Sequence, residues 1–269
     1  MGRGRRTRRD HSRAGRVREH GALTDEELTR YARQIVLPQL GGTGQQKLKA
    51  ARVAVIGAGG IGAAVIPALA GAGVGALTIV DPDTADLSNL HRQPIYRSRD
   101  AGEPKAALAG QFVRRLNPFV EVDPIERRID PETAPALLAG HHLVIDGTDN
   151  FATRLAVSDA CVALGLPLLS AAAQQWQGQV GLFLGRPCYR CFVGDAFDAD
   201  DCDNCAELGV TGALTGLAGN LAALLAIRFL TQAGDDPSGR LHLIDALAGT
   251  QRQIRIMADP GCRACGQPG

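Results

Sequence analysis

With 269 residues, 45% of them apolar, the chain can bury a substantial core, either as one large α/β unit or as two compact domains. Its net charge of +1 is uneven: residues 1–20 carry eight Arg against Asp10 and Glu19, a net of +6, which leaves the remainder at −5. An acidic body is a poor match for nucleic acid, and no apolar segment follows the Arg pairs to form a secretory signal.

Residues 1–22 lack apolar periodicity and read as a disordered basic tail, ahead of one domain over 23–269. Thr24-Asp25-Glu26-Glu27 has capping-box spacing, which predicts a helix start at Thr24 with Leu28, Tyr31, Ala32 and Ile35 on one face. Arg33 and Gln34 sit at its far end. The glycines of 41–44 predict a break, followed by a short helix over 45–50.

Residues 52–56 form a β-branched apolar run suited to a strand buried on both faces. Gly57-Ala58-Gly59-Gly60-Ile61-Gly62 follows at once. Gly57 permits a tight turn, Gly59 lets backbone approach a phosphate, and Gly62 lets helix sit close to strand. A helix over about 60–72 would present its amino terminus to that phosphate. The next strand, 76–80, ends in Asp81, whose carboxylate can accept from ribose hydroxyls. This fingerprint serves NAD, FAD and ATP users alike.

The polar, turn-rich run 82–93 follows a strand end, where α/β folds place ligand groups. A helix from Lys105 to about Leu116, a strand at 120–125, a helix at 131–139 and a buried strand at 143–145 come next. That strand ends in Asp146-Gly147-Thr148-Asp149-Asn150. A helix over 151–164 and a strand from Pro167 complete the βα rhythm. Residues 179–184 then pair back without a helix, which predicts antiparallel order. A Cys- and Asp-rich loop at 187–208, a long helix at 212–232 and strands at 241–244 and 253–256 finish the chain. The apolar stretch 213–230 is interrupted by Asn220, Arg228 and glycines, so it reads as a buried helix, not a membrane span. The expected fold is α/β: a Rossmann-like parallel half continuing into an antiparallel half of one mixed sheet, with helices on both faces.

Cys188-x-x-Cys191 and Cys262-x-x-Cys265 are two knuckles with ligand spacing, together the four thiolates of a structural zinc. The competing reading is free or redox-active thiols. Seven Cys without an export signal indicate metal or catalysis in a cytoplasmic setting. Cys161 lies in an apolar helix and reads as core. Cys202 and Cys205 sit among acids that raise a thiol's pKa, so their sequence neighbours do not activate them.

Arg33, Asp81, Asn89, Arg92, Gln93, Lys105 and Asp149 follow strand ends or helix starts around the glycine turn. Three cations and two carboxylates are a kit for ATP with magnesium: cations for phosphate, one acid for metal, one for ribose. Hydride transfer by an NAD-dependent oxidoreductase has no need of so many cations.

Arg30-Tyr31-Ala32-Arg33-Gln34, the glycine run, Ser88-Asn89-Leu90-His91-Arg92-Gln93, Pro104-Lys105, Asp146-Gly147-Thr148-Asp149-Asn150 and the paired knuckles resemble, in order, the MoeB/ThiF/HesA family of adenylyltransferases related to ubiquitin-activating enzymes. His91 and Gly147 depart from residues common there. The resemblance implies ATP-dependent adenylation of the carboxyl-terminal glycine of a small ubiquitin-like sulfur-carrier protein ending in Gly-Gly, for molybdopterin or thiamine biosynthesis. It implies Asp81 on ribose, Gly60 at ATP, Asn89, Arg92 and Lys105 on the triphosphate, and Asp149 on magnesium. It also implies a homodimer in which Arg33 serves the neighbouring site. Cys205 matches a loop cysteine that in some members links to the carrier. The alternative is a separate sulfurtransferase with Cys205 dispensable. A relative acting on modified tRNA is a rival that the basic tail favours and the acidic body opposes.

Overall fold

The computed structural model of the chain describes residues 22–194 and 208–266. The basic tail, Cys202 and Cys205 lie outside the described residues.

Helix α1 (Asp25–Arg30) starts with the expected capping box: Glu27 N–H donates to Thr24 Oγ1 at 3.2 Å, and Thr24 N–H donates to Glu27 Oε2 at 2.8 Å. Its one-face expectation needs correcting. The helix breaks at Tyr31 and resumes as α2 (Ala32–Ile35). Tyr31 is buried, with its hydroxyl accepting from Asn117 Nδ2 at 2.8 Å, but Leu28 is 43% exposed. Glu27 is buried in its place, paired with Lys49 at 2.7 Å. Val36 and Leu37, 72% and 51% exposed, continue an uncovered apolar surface just past Arg33.

The expected glycine break is also absent, because α3 runs from Gly41–Ala50. Tertiary anchoring outweighs glycine's poor propensity here. Buried Gln45 accepts from Gln34 Nε2 at 2.6 Å and donates to the Ala72 carbonyl at 2.9 Å, which ties α3 and α2 to one point.

The strands β1 (Arg52–Ile56), β2 (Ala76–Val80), β3 (Glu121–Ile125), β4 (Leu143–Asp146), β5 (Leu168–Gln174), β6 (Gln177–Phe183), β7 (Arg240–Asp245) and β8 (Thr250–Arg255) form one sheet. Their order is β3-β2-β1-β4-β5-β6-β7-β8. Pairing is parallel from β3 to β5 and antiparallel from β5 to β8, as the missing helix after β5 requires. The edges are β3, which contains Pro124, and β8, every residue of which is exposed.

Side chains alternate between the two faces of the sheet. Val53 and Val55 face the larger core, under α4 (Gly62–Ala72), α5 (Lys105–Leu116) and α9 (Gly212–Thr231). Ala54 and Ile56 face the second core, under α6 (Ala134–Leu138), α7 (Phe151–Leu164) and α8 (Tyr189–Val193). The sheet is therefore covered by helices on both faces. α6 is shorter than its sequence suggests because Asp130 Oδ1 accepts from the N–H groups of Glu132 and Thr133, making a turn of residues expected to be helical. α9 has the length and apolarity of a membrane span, but Leu214, Ala218, Ala222, Leu225 and Ala226 are buried against the sheet and α4.

Candidate functional site

β1 pairs with β2 on one side and with β4 on the other, so chain direction across the sheet reverses between β1 and β4. A crevice at that carboxyl edge is where open α/β sheets bind ligands. Ile56 stands in register with Val80 and with Asp146, so the segments after β1, β2 and β4 emerge side by side.

The glycine run forms the crevice floor. Gly57 has φ +89, a conformation that side chains resist, and a Cβ there would press on the Gly147 backbone and Thr148. A Cβ at Gly62 would run into the Gly57 carbonyl, so α4 starts as close to β1 as backbone allows. α4 begins at Gly62, two residues later than its sequence suggests. The amino end of α9 closes over the same segment: Gly60 packs against Thr215, Gly212 against the His91 carbonyl, and Gly219 against the Ile61 carbonyl.

Asp81 is 4% exposed, and its two oxygens brace the turn. Oδ2 accepts from Ala58 N–H at 2.7 Å and Oδ1 accepts from Asp83 N–H at 2.8 Å. Burial pushes its pKa up, against these N–H groups and the nearby Lys105 charge, which pull it down. Lys105, at the start of α5, is 6% exposed, and its Nζ lies 3.3 Å from Asp83 Oδ2. Gln93 is buried beside Gly59, its Oε1 lacking a hydrogen-bond partner among the described residues. Half-buried Arg92 reaches the Ser88 carbonyl at 3.3 Å and His91 Nε2 at 2.9 Å, and Asn89 donates to Ser88 Oγ at 3.4 Å. Asp149 stands exposed on the turn after β4. Asp81, Asn89, Arg92, Gln93, Lys105 and Asp149 thus gather around the glycine run, on loops that leave the same edge of the sheet.

Arg33 does not join them within one chain. Its neighbour Gln34 donates to the Ala72 carbonyl at 3.0 Å, at the far end of α4 from the glycine turn. α4 has 11 residues. At about 1.5 Å per residue that separates Arg33's neighbourhood from the turn by about 16 Å.

The four knuckle cysteines converge on the other face of the sheet, with all four Sγ atoms within 4.8 Å of one another. Cys188–Cys262, Cys191–Cys265 and Cys188–Cys191 are 3.6, 3.3 and 4.0 Å apart. Tetrahedral zinc with Zn–S near 2.3 Å spaces its sulfurs by about 3.8 Å, so the set fits such an ion. Among the described residues it is the only His/Cys/Asp/Glu group of three or more placed to hold a metal.

Three contributors escape a sequence reading. Asp83 pairs with Lys105, and buried Tyr96 donates its hydroxyl to the Ala58 carbonyl at 2.7 Å. Buried Arg154 donates to the Thr148 carbonyl, one residue before Asp149. For Asp83 the usable signal is its place as the second acid after β2. Nothing local distinguishes Tyr96 or Arg154 from ordinary loop and helix residues.

The sequence model of the ThiF family matches residues 31–264. The chain is 41% identical over 248 residues to the molybdopterin-synthase adenylyltransferase of Salmonella typhimurium, covering 91% of this chain and 99% of that protein. It is 43% identical over 251 residues to the sulfur carrier protein adenylyltransferase of Thermus thermophilus, covering 90% of this chain and 92% of that one. The crystal structure of E. coli MccB with MccA-N7isoASN superimposes with a TM-score of 0.79 at 21% identity, over 92% of this chain and 77% of that one, a likeness of fold.

Proposed function

Since the chain belongs to the ThiF family, we propose that it adenylates the carboxyl-terminal glycine of a small ubiquitin-like sulfur-carrier protein. The observation that carries this reading is the meeting, at the β1/β4 switch point, of a glycine turn with Lys105, Arg92 and Asp149. The carrier carboxylate attacks the α-phosphorus of ATP, a new P–O bond forms, and pyrophosphate leaves. The residues act mainly by holding reactants in line and stabilising charge. The N–H groups of the glycine turn and the start of α4 meet phosphate. Lys105, nearly excluded from water, places a cation where the triphosphate lies, oriented by Asp83. Asn89, Arg92 and Gln93 line the same crevice. Asp81 sets the shape of the turn and offers its remaining lone pairs to ribose.

Magnesium, when bound with ATP, neutralises charge that builds on the leaving pyrophosphate. Magnesium in nucleotide sites is held by one or two carboxylates plus phosphates, and the exposed Asp149 fits that role. Zinc suits the four thiols, and with no open coordination position its part is structural. A cytoplasmic setting keeps those thiols reduced. Molybdopterin synthesis is the first choice of pathway and thiamine synthesis the second. Sulfur then reaches the acyl-adenylate from a separate sulfurtransferase.

The deciding experiment is ATP–pyrophosphate exchange by the purified chain with candidate carriers. Exchange is expected only with a carrier that ends in Gly-Gly, and deletion of that dipeptide should remove it. Exchange that persists without any carrier would sink the assignment.

The offset of Arg33's neighbourhood from the glycine turn, about 16 Å along α4, followed by exposed Val36 and Leu37, supports a homodimer in which Arg33 of each protomer serves its partner's site. Arg33→Ala and Lys105→Ala proteins, each inactive, should recover activity on mixing once subunit exchange is demonstrated, because some mixed dimers hold one intact site. Exchanged heterodimers without activity would rule out the shared site.

A further inference from the structure

Arg154 lies on the first turn of α7, five residues after Asp149, and is only 5% exposed. Its guanidinium donates to the Thr148 carbonyl, to the Ala171 carbonyl at 3.0 Å and to Ser170 Oγ at 3.3 Å. It therefore bolts the turn that carries Asp149 to β5. Asp146, at the end of β4 and 1% exposed, grips the same turn from below. Its Oδ1 accepts from Thr148 N–H at 3.0 Å and Thr148 Oγ1 at 2.7 Å, while its buried Oδ2 has no hydrogen-bond partner among the described residues. Burial works to strip the Arg154 proton, but Asp146, Tyr189 and Asp149 oppose it and hold the group charged. Tyr189, which follows the metal-ligating Cys188, interacts with the same guanidinium, so the knuckle side of the sheet abuts this brace.

Burying an arginine and an aspartate beneath an exposed turn is costly, and an apolar pair of similar volume would fill the space at lower cost. What the two charged side chains supply is directed hydrogen bonds to one backbone segment, which fix the position of the next side chain. We propose that Arg154 is a positioning residue for adenylation: with Asp146 it sets the turn at 147–150 and thereby aims the Asp149 carboxylate at the metal-bound triphosphate. This rests on the functional reading above.

Two measurements on the full-length chain test it. In the first, pyrophosphate exchange is followed against magnesium concentration for wild type, Arg154→Lys and Ser170→Ala. Outer-shell partners of metal-holding groups change affinity or activity by about 10–100-fold. Arg154→Lys is expected to raise the half-saturating magnesium concentration by at least about tenfold on that scale, with the KM for carrier unchanged. Ser170→Ala should shift it less, in the same direction, and serves if Arg154→Lys does not fold. In the second, amide hydrogen exchange is measured without ATP or carrier. The 147–150 amides should lose protection in the variants while those of β1 and β2 keep theirs. Folded variants with wild-type magnesium dependence, or with unchanged protection at 147–150, overturn the proposal. A wild-type chain without pyrophosphate exchange would instead overturn the functional reading, and amide exchange would still decide whether Arg154 holds the turn.

Discussion

Replacing Asp149 by Ala is expected to abolish carrier-dependent pyrophosphate exchange while leaving the melting temperature close to wild type. The two halves of that expectation have separate physical grounds. Asp149 is solvent-exposed on a turn whose own braces are Asp146 and Arg154, so its carboxylate contributes little to folding. Surface substitutions of that kind usually stay within about 0.5 kcal/mol. The chemical step is different, because charge accumulates on pyrophosphate as the P–O bond breaks. A misplaced metal there forfeits stabilisation worth about 3–4 kcal/mol or more, about 10²–10³-fold in rate, judged by losses of single preorganised groups elsewhere. Asp149→Asn would be the stringent companion, since it keeps size and removes only charge. Rates measured at limiting magnesium decide the matter; a folded variant that retains most of its activity there shows that another group holds the metal.

Loss of the four-cysteine centre should act in the opposite way, through stability. Purified chain is expected to hold one zinc, released by thiol oxidation, and Cys191→Ser should melt well below wild type. Cys188 and Cys262 are buried, and the set joins the start of α8 to the segment after β8. Without metal, thiols crowded to 3.3–3.6 Å lose the ion that organises them. Removal of a structural metal is among the few single-site changes that reach about 4 kcal/mol. Activity per folded molecule should fall much less than stability, since the centre has no open position for a reactant. Elemental analysis that finds no metal in fresh protein, or a Cys191→Ser chain with an unchanged melting temperature, would contradict this account.

The parallel half of the sheet was legible because its signals are local. Arg52–Ile56 beyond its exposed first residue, and Leu143–Asp146 throughout, are buried on both faces, and Gly57 takes a positive φ. The knuckles were legible because ligand spacing is a short-range constraint. What stayed hidden depends on distant partners. α3 keeps its glycines helical with Gln45 tied to the Ala72 carbonyl, 27 residues away in sequence. Tyr31 interrupts the first helix to meet Asn117, 86 residues on. Asp81 reads in sequence as an acid for ribose, but its grip on Ala58 N–H needs the folded turn. Arg154 reads as an ordinary helical cation until β5 supplies Ser170 and the Ala171 carbonyl.

The two outer strands have a consequence for association. A sheet edge exposes unpaired N–H and C=O groups that invite a further strand from another molecule, the first step of aggregation. β3 meets that hazard with Pro124, which has no N–H to offer, and with the charges of Glu121 and Asp123. β8 meets it with exposed Arg252 and Arg255, whose like charges would be stacked if two copies aligned. The eight-stranded sheet is therefore protected at both ends against edge-to-edge growth, and contacts between copies are directed to the helical surfaces instead.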